Sequence, residues 1–139
     1  MSRPTNRTQL MERFGAKQLN AVWSWCAVNE SEKKVFLSIW TDNMVKGTAP
    51  TSYIIQESDW GVNQESGKKS AARNDQDEKL ALIFDRGYEA FGYFIVAKDP
   101  NAHPREIEET RTSFIMQLQL AVLEDGTVLG TPLRRIEIR

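Results

Sequence analysis

The sequence predicts an α+β domain: a small curved β-sheet or β-barrel of about six strands, with one long and one short helix at its rim. Two observations predict this class. Segments with the character of strands outnumber helical ones and follow one another mainly through hairpin turns. Only one long segment has helical periodicity. The chain of 139 residues has the length of a single domain, residues 1–139.

The composition is that of a soluble globular protein. Hydrophobic residues make up 40% of the chain and charged residues 27%, so the chain can bury a core without disulfides or metals. The formal net charge is −1. Proteins that bind polyanions generally are usually strongly basic, so this charge argues against such a binder, although it leaves room for a local basic patch.

The chain contains one cysteine, Cys26, and one histidine, His103. A single cysteine cannot form an internal disulfide, and these two residues offer little material for a zinc site. The N-terminal segment lacks the apolar run of a signal peptide, and no window is long and apolar enough to cross a bilayer. We therefore expect a cytoplasmic protein, in the style of bacteria or phage, with no membrane contact, no cofactor and no bound metal.

The first elements are a short helix and a β-hairpin. Residues 8–14 predict a short helix that stops at Gly15, because glycine is the usual residue just past a helix C-terminus. Residues 21–28 and 34–41 predict two strands, since apolar or aromatic side chains occupy both of their faces. A simple hairpin would close these strands around residues 29–33.

This hairpin carries three of the four tryptophans. Trp23 and Trp25 are two residues apart, so they point to the same face of one strand. Trp40 lies near the far end of the returning strand, which brings all three side chains to the open end of the hairpin. The cluster is therefore either the anchor of the core or the wall of a pocket, and the sequence leaves both open.

The middle of the chain begins with a turn region at residues 42–51 and a short strand at 52–57. A polar, glycine-containing loop follows at 58–70. Trp60 interrupts this loop, and a tryptophan in such a setting either folds back on the core or faces a ligand.

Residues 71–86 predict the one long helix. Leu80, Ile83 and Phe84 repeat at helical spacing and form a narrow apolar stripe. Gly87 follows in the position that ends helices. Because the stripe is narrow, we expect the helix to lie across the outside of a sheet.

The last third of the chain predicts a further strand and a second hairpin. Residues 90–98 are rich in aromatic and β-branched side chains, and Gly92 within them indicates a bulge or a close backbone approach. A loop with two prolines follows at 99–105. Residues 112–123 and 127–138 then predict a hairpin with an Asp-Gly turn.

The residues that could carry catalysis are sparse. The only histidine lies in the proline-containing loop, so no pair of nucleophile and base is indicated. Cys26 is interpreted as a small core residue, because free cysteines are usually buried and inert. Acidic residues such as Asp75 and Asp77 are interpreted as a solvated surface rather than a metal site. We therefore assign no catalytic residue and no metal ligand.

Binding is indicated more strongly, because aromatic faces stack on nucleobases for roughly 1–3 kcal/mol per base. Trp23, Trp25 and Trp40 are the candidate walls of a base pocket, and Asp42 is the candidate hydrogen-bond acceptor beside them. Basic residues outside the hairpin are candidate phosphate contacts. They are Arg73, Lys98 and Arg105. Ordinary core packing for each tryptophan, and ordinary solubilising charge for each basic residue, remain the alternatives.

Three segments resemble modified-base-reading domains of the PUA-like superfamily, which includes the EVE and SRA domains. They are NAVWSW at 20–25, VFLSIWTD at 35–42 and EKLALIFDRGYEAFGYFIVAKDPNAHPR at 78–105. Such domains have, in this order, a strand with WSW, a strand ending in W-x-D and a helix whose final glycine precedes an AKDP strand. With the closing hairpin, the resemblance spans residues 20–138. It is specifically to small bacterial domains that occur alone or beside HNH nuclease modules.

The resemblance implies a curved, barrel-like sheet with an aromatic pocket for an extruded base such as 5-methylcytosine. Carried over to this chain, the pocket residues are Trp23, Trp25, Trp40 and Asp42. The expected function is a non-catalytic module that reads a modified or flipped base in nucleic acid, with a nuclease or another protein as a possible partner. The alternatives are a small protein-interaction or defence-accessory domain whose aromatic cluster is core, and a metal-dependent enzyme.

Overall fold

The computed structural model describes residues 3–18, 24–102 and 105–138. Within them the chain forms two helices and eight strands. In chain order the elements are α1 (Arg7–Arg13), β1 (Cys26–Asn29), β2 (Lys34–Trp40), β3 (Met44–Val45), β4 (Ser52–Gln56), α2 (Ala71–Arg86), β5 (Glu89–Ala97), β6 (Ile107–Thr110), β7 (Phe114–Val122) and β8 (Val128–Glu137). The α+β class, both helices and six strands at the expected places are confirmed, and two short strands, β3 and β6, join them. The first strand was expected over residues 21–28, but β1 begins only at Cys26, so Trp25 precedes it.

The strands form one curved mixed sheet in the order β1-β2-β5-β7-β8-β4-β3, and β6 pairs with the end of β5. Both expected hairpins are present, as β1–β2 and β7–β8. The central pair, β2 and β5, was not expected. These strands run parallel, with Phe36 opposite Phe91 and Trp40 opposite Ile95. Parallel neighbours need a long crossover, and here the chain supplies it through β3, β4 and α2.

The central strands are covered on both faces. On one face, Phe36 and Phe91 belong to a buried cluster that includes Leu10 of α1. On the other face, Leu37 belongs to a second cluster that includes Leu80 of α2. Strands buried on both sides carry apolar residues at nearly every position, which explains the predominantly apolar sequences of β2 and β5. No helix among the described residues is long and apolar enough to cross a bilayer.

The long helix begins and ends as predicted, but the face that it buries is different. Of the expected stripe, only Leu80 is buried, and Phe84 is 45% exposed. The first turns instead bury Arg73, Asp75 and Gln76, which are 8%, 2% and 5% exposed. Buried polar side chains need hydrogen-bond partners, so this end of the helix is held by a polar network rather than by apolar packing.

At Gly92 the backbone of β5 lies close to side chains of the two neighbouring strands, in line with the close backbone approach that the sequence predicted. A Cβ atom at this position would lie 2.7 Å from Cδ1 of Ile39 and 2.8 Å from Cδ1 of Leu118. We expect Gly92→Ala to lower the free energy of unfolding by about 1–3 kcal/mol, because the core must shift to admit a methyl group. Urea unfolding measures this, with Ala121→Val on the exposed part of β7 as the control. Equal stability of the two variants would contradict the close approach.

Candidate functional site

A pocket of about 410 Å³ opens where β2 ends. Trp40 of β2 and Gln56 of β4 both line it. In the sheet, β2 and β4 are separated by β5, β7 and β8. The sheet therefore curls far enough for two strands that are not neighbours to share one cavity.

Two of the predicted pocket tryptophans come together at this site. The ring centroids of Trp25 and Trp40 are 5.7 Å apart, and their planes are tilted by 49°. The hairpin register produces this contact, since Ser38 of β2 donates a hydrogen bond of 2.9 Å from Oγ to the carbonyl oxygen of Trp25. Both rings line the pocket. Trp23, the third predicted member, lies outside the described residues.

Trp60 supplies a further wall of the pocket. The sequence had left open whether this residue belongs to the core or faces a ligand. Its loop is fixed from below by Arg73, whose Nη1 donates to the carbonyl oxygens of Ser58 at 3.0 Å and Trp60 at 2.6 Å. Gly61 allows the loop to pass this close, because a Cβ there would lie 2.7 Å from Cβ of Arg73.

These contacts contradict the prediction that Arg73 contacts a phosphate. The residue is only 8% exposed. Its Nε also donates to the carboxylate of Asp77, at 3.0 Å to Oδ1. With Nη1 bound to backbone carbonyls and Nε bound to a carboxylate, Arg73 shapes the pocket from within the protein.

Asp42 and Arg105, predicted as a base acceptor and a phosphate contact, are joined to each other. Nη1 and Nη2 of Arg105 each lie 2.8 Å from one carboxylate oxygen of Asp42, which is the two-bond geometry typical of strong Arg–carboxylate pairs. Arg105 also lines the pocket. Asp42 therefore orients Arg105 in this structure, and it is not itself among the residues that line the pocket.

A guanidinium lies over each ring of the tryptophan pair. The Cζ atom of Arg105 is 5.2 Å from the centroid of Trp40, and that of Arg7 is 5.6 Å from the centroid of Trp25. Cations within about 6 Å of an aromatic face are attracted by the electrons of the ring. The electron-rich faces of both indoles are therefore already partly satisfied by resident cations.

Lys98, the third predicted phosphate contact, is exposed. Its side chain is 69% accessible, and Nζ lies 3.9 Å from the carboxylate of Glu106. Lys98 follows the end of β5, which is parallel to β2, so it lies at the same edge of the sheet as Asp42. A phosphate contact by Lys98 stays a prediction.

Two glutamines that the sequence reasoning missed form the polar part of the pocket. Gln56 and Gln76 are 4% and 5% exposed, and both line the cavity. Gln76 donates from Nε2 to Oε1 of Gln56 at 2.9 Å, and Gln56 donates from Nε2 to Oδ1 of Asp77 at 3.0 Å. The available signal was that the apolar stripe of α2 starts only at Leu80, which leaves its first turns to bury polar side chains.

These hydrogen bonds form a relay that runs from Gln76 through Gln56 to Asp77. Asp77 is the charged end of this relay. Partial burial acts to raise the pKa of its carboxyl group, but hydrogen bonds from Lys69, Gln56 and Arg73 outweigh burial and lower the pKa below its usual range. The carboxylate is therefore ionised at neutral pH and accepts hydrogen bonds only.

The single cysteine is not among the residues that line the pocket. Cys26 is 1% exposed, and its Sγ lies 3.5 Å from Oδ2 of Asp75. Burial, followed by the negative charge of Asp75, raises the pKa of the thiol far above its ordinary value. The thiol is therefore protonated and is a poor nucleophile, as expected for a core cysteine. Among the described residues, no three His, Cys, Asp or Glu side chains are grouped as they would be to hold a metal ion.

The arrangement combines flat indole walls, oriented side-chain amides and a fixed guanidinium in one concave site. Such a site can hold a flat ligand by stacking and can read the polar edge of that ligand by hydrogen bonds. Comparison of the chain with protein-family models, with curated proteins and with solved structures finds no significant match in any of the three.

Proposed function

We propose that the protein is a non-catalytic module that binds a modified or flipped base of nucleic acid in the tryptophan-lined pocket. The observation that carries the proposal is that Trp25, Trp40 and Trp60 line one pocket of about 410 Å³. This volume falls within the roughly 300–1,000 Å³ of sites for small ligands. A base that leaves a duplex is typically held by stacking and read at its hydrogen-bonding edge, and the pocket offers groups for both.

The resident charges favour a neutral flat ligand over a cationic one. Aromatic cages that bind quaternary ammonium groups use the negative faces of their rings. Here Arg7 and Arg105 already lie over Trp25 and Trp40. A second cation near these rings would be repelled by the guanidiniums. A nucleobase carries no net charge, and the phosphates attached to it would be attracted by Arg105 and by the exposed Lys98.

A PUA-like fold belongs to the same proposal. A curved mixed sheet with one short and one long helix supports it, and so does the position of the pocket. Trp25, Trp40 and Arg105 belong to the segments that carry the resemblance, and all three line the cavity. In this proposal the module works in a reducing cytoplasmic compartment, where a free cysteine is ordinary, and any cleavage of nucleic acid comes from a partner nuclease.

Trp60→Ala is the most direct test of the pocket. Trp25 and Trp40 pack against a core cluster, whereas Trp60 belongs to neither of the two clusters, so its loss should leave the fold intact. We expect affinity for a preferred duplex to fall about ten- to a hundredfold, the loss of one stacking wall. Fluorescence titration with duplexes that contain cytosine or 5-methylcytosine, at two salt concentrations, measures this.

Trp60→Phe is the matched control, because it keeps an aromatic face and should retain most of the affinity. Binding through phosphates should also weaken as salt rises. An unchanged affinity of Trp60→Ala, with circular dichroism like that of the wild type, would contradict the assignment of the pocket.

A second candidate is a protein-interaction domain whose tryptophans are structural. The observation that favours it is that Trp25 and Trp40 are partly buried against the core cluster on the α1 side of the sheet. The same titration separates the two candidates. A protein-interaction domain would give no fluorescence response to any nucleic acid, at either salt concentration.

A further inference from the structure

The relay from Asp77 to the pocket fixes the orientation of two side-chain amides. A carboxylate only accepts hydrogen bonds, so Gln56 must turn its NH₂ group toward Asp77, at 3.0 Å. The oxygen of Gln56 then faces Gln76, which must in turn present its own NH₂ group, at 2.9 Å. The chemistry of the partners thus settles which end of each amide is nitrogen.

Within the described part of the chain, this order of donors leaves the oxygen of Gln76 without a hydrogen-bond partner. Among the described residues, Nε2 of Gln76 donates to Gln56, and no hydrogen bond reaches Oε1. No polar side-chain atom in the described part of the chain is both fully buried and without a hydrogen-bond partner. Oε1 of Gln76 therefore touches accessible space, and the space that Gln76 lines is the pocket.

We propose that Gln76 is the specificity-determining residue of the pocket, and that its Oε1 accepts a hydrogen bond from an exocyclic amine, so that the site selects amino-bearing bases over their oxo counterparts. This inference rests on the proposed function. The predicted acceptor was Asp42, whose carboxylate is instead bound to Arg105. Gln76 takes over that role from the helix side of the cavity.

The relay strengthens the preference for an amine because the side-chain amide of Gln76 cannot rotate without losing hydrogen bonds. A free glutamine offers either its oxygen or its nitrogen to a ligand and so accepts both an amine and a carbonyl. Rotation of Gln76 here would bring its oxygen against the oxygen of Gln56, and rotation of both would bring oxygen against the carboxylate of Asp77. An oxo base would thus face Oε1 of Gln76 with two acceptors and no proton between them.

The test uses pairs of bases in which one member carries an exocyclic amine and the other a carbonyl at the same position. Short single-stranded oligonucleotides carry one central 5-methylcytosine or thymine, and a second pair carries adenine or hypoxanthine. Single strands are used so that the cost of opening a duplex does not differ within a pair. We expect the wild-type protein to bind the amino member about ten- to a hundredfold more tightly in each pair, measured by tryptophan fluorescence.

Gln76→Leu removes the acceptor while keeping a side chain of similar size, and it should bring the ratio of affinities close to one. Gln119→Leu, on the exposed face of β7, is the matched control and should keep the wild-type ratio. Gln56→Met should also reduce the ratio, since Gln76 is then free to rotate. The comparison of bases in the wild type needs no variant and stands even if a variant fails to fold.

The outcomes separate this inference from the function on which it rests. Equal binding of amino and oxo bases by the wild type, weakened for both by Trp60→Ala, would overturn the role of Gln76 and leave the base pocket standing. A wild-type preference that survives in folded Gln76→Leu would also overturn the role of Gln76. The absence of binding to any oligonucleotide or duplex would overturn both proposals.

Discussion

Replacing Arg73 with methionine is expected to lower the free energy of unfolding by about 3 kcal/mol, because two backbone carbonyls and a partly buried carboxylate lose a charged donor. The guanidinium donates to the carbonyl oxygens of Ser58 and Trp60 and to the carboxylate of Asp77. Urea unfolding measures the loss. The same change should release the loop that carries Trp60, so acrylamide should quench more of the tryptophan fluorescence in the folded variant.

The matched control is Lys69→Met. Lys69 also contacts Asp77, at 2.9 Å, but its side chain is 47% exposed, and an exposed ion pair contributes only about 0–1 kcal/mol. Arg73→Lys should be intermediate, since it keeps the charge and loses the fork of donors. If Arg73→Met proved no less stable than Lys69→Met, the contacts of Arg73 would not be what fixes the loop.

The free energy of unfolding of the wild type and that of Arg73→Met should depend differently on pH. The pKa of Asp77 is lower in the folded state than its usual value, despite partial burial, because Lys69, Gln56 and Arg73 donate to it. The resulting stabilisation is present above the ordinary carboxyl pKa, near about 3.9, and is lost as pH falls through the lower folded pKa. The deficit of Arg73→Met relative to the wild type should therefore narrow at the acid end.

Lys79→Met is expected to lower the free energy of unfolding by about 3–5 kcal/mol, as much as Arg73→Met or more. The reason is that it leaves a buried carboxylate without its counter-ion. The side chain of Asp75 has no exposure, and Nζ of Lys79 lies 2.9 Å from its Oδ1. Among the described residues, the other side-chain hydrogen bond to that carboxylate comes from the thiol of Cys26, at 3.5 Å. Thermal and urea unfolding measure the loss.

The ion pair between Lys79 and Asp75 also determines how the stability of Lys79→Met, relative to the wild type, depends on pH. Burial acts to lower the pKa of Lys79, but the hydrogen bond and charge of Asp75 outweigh burial and raise it. The wild-type contribution is therefore complete below about pH 10 and is lost as pH rises through the folded pKa. The stability deficit of Lys79→Met relative to the wild type should therefore narrow as pH rises above about 10.

The double variant Asp75→Asn with Lys79→Met is the control. It removes both charges, and a neutral pair of similar volume is often no less stable than a buried ion pair. The double variant should therefore be more stable than Lys79→Met alone. Equal or lower stability of the double variant would show that the unpaired charge of Asp75 is not what destabilises Lys79→Met.

Local features of the fold could be predicted from the sequence, and distant pairings could not. The ends of both helices and the two hairpins follow from turns and caps within a few residues, such as Gly15 and Gly87. The parallel pairing of β2 with β5 joins strands separated by two strands and a helix. An apolar strand has the same sequence character whichever way its neighbour runs, so the pattern did not distinguish the two arrangements.

The residues of the candidate site likewise fall into those that local sequence could predict and those that depend on distant contacts. Trp25 and Trp40 were predicted to meet because both lie at the open end of one hairpin, and their rings are in contact there. Trp60 and Gln76 reach the cavity only through the curl of the sheet and the docking of α2, and neither follows from spacing. Charge alone also misled the prediction for Arg73, since a surface cation and a buried donor to carbonyl groups look identical in a sequence.

The walls of the pocket differ in how the chain holds them, and this difference bears on how recognition could diverge in evolution. Trp40 belongs to a central strand, so a change there would disturb the pairing of the whole sheet. Trp60 belongs to a loop outside the named strands, which Arg73 of α2 and backbone hydrogen bonds within the loop hold in place. Loops of this kind accept substitution and insertion more readily than the scaffold beneath them. Descendants of this chain could acquire new ligands by exchanging that one loop while inheriting the other walls unchanged.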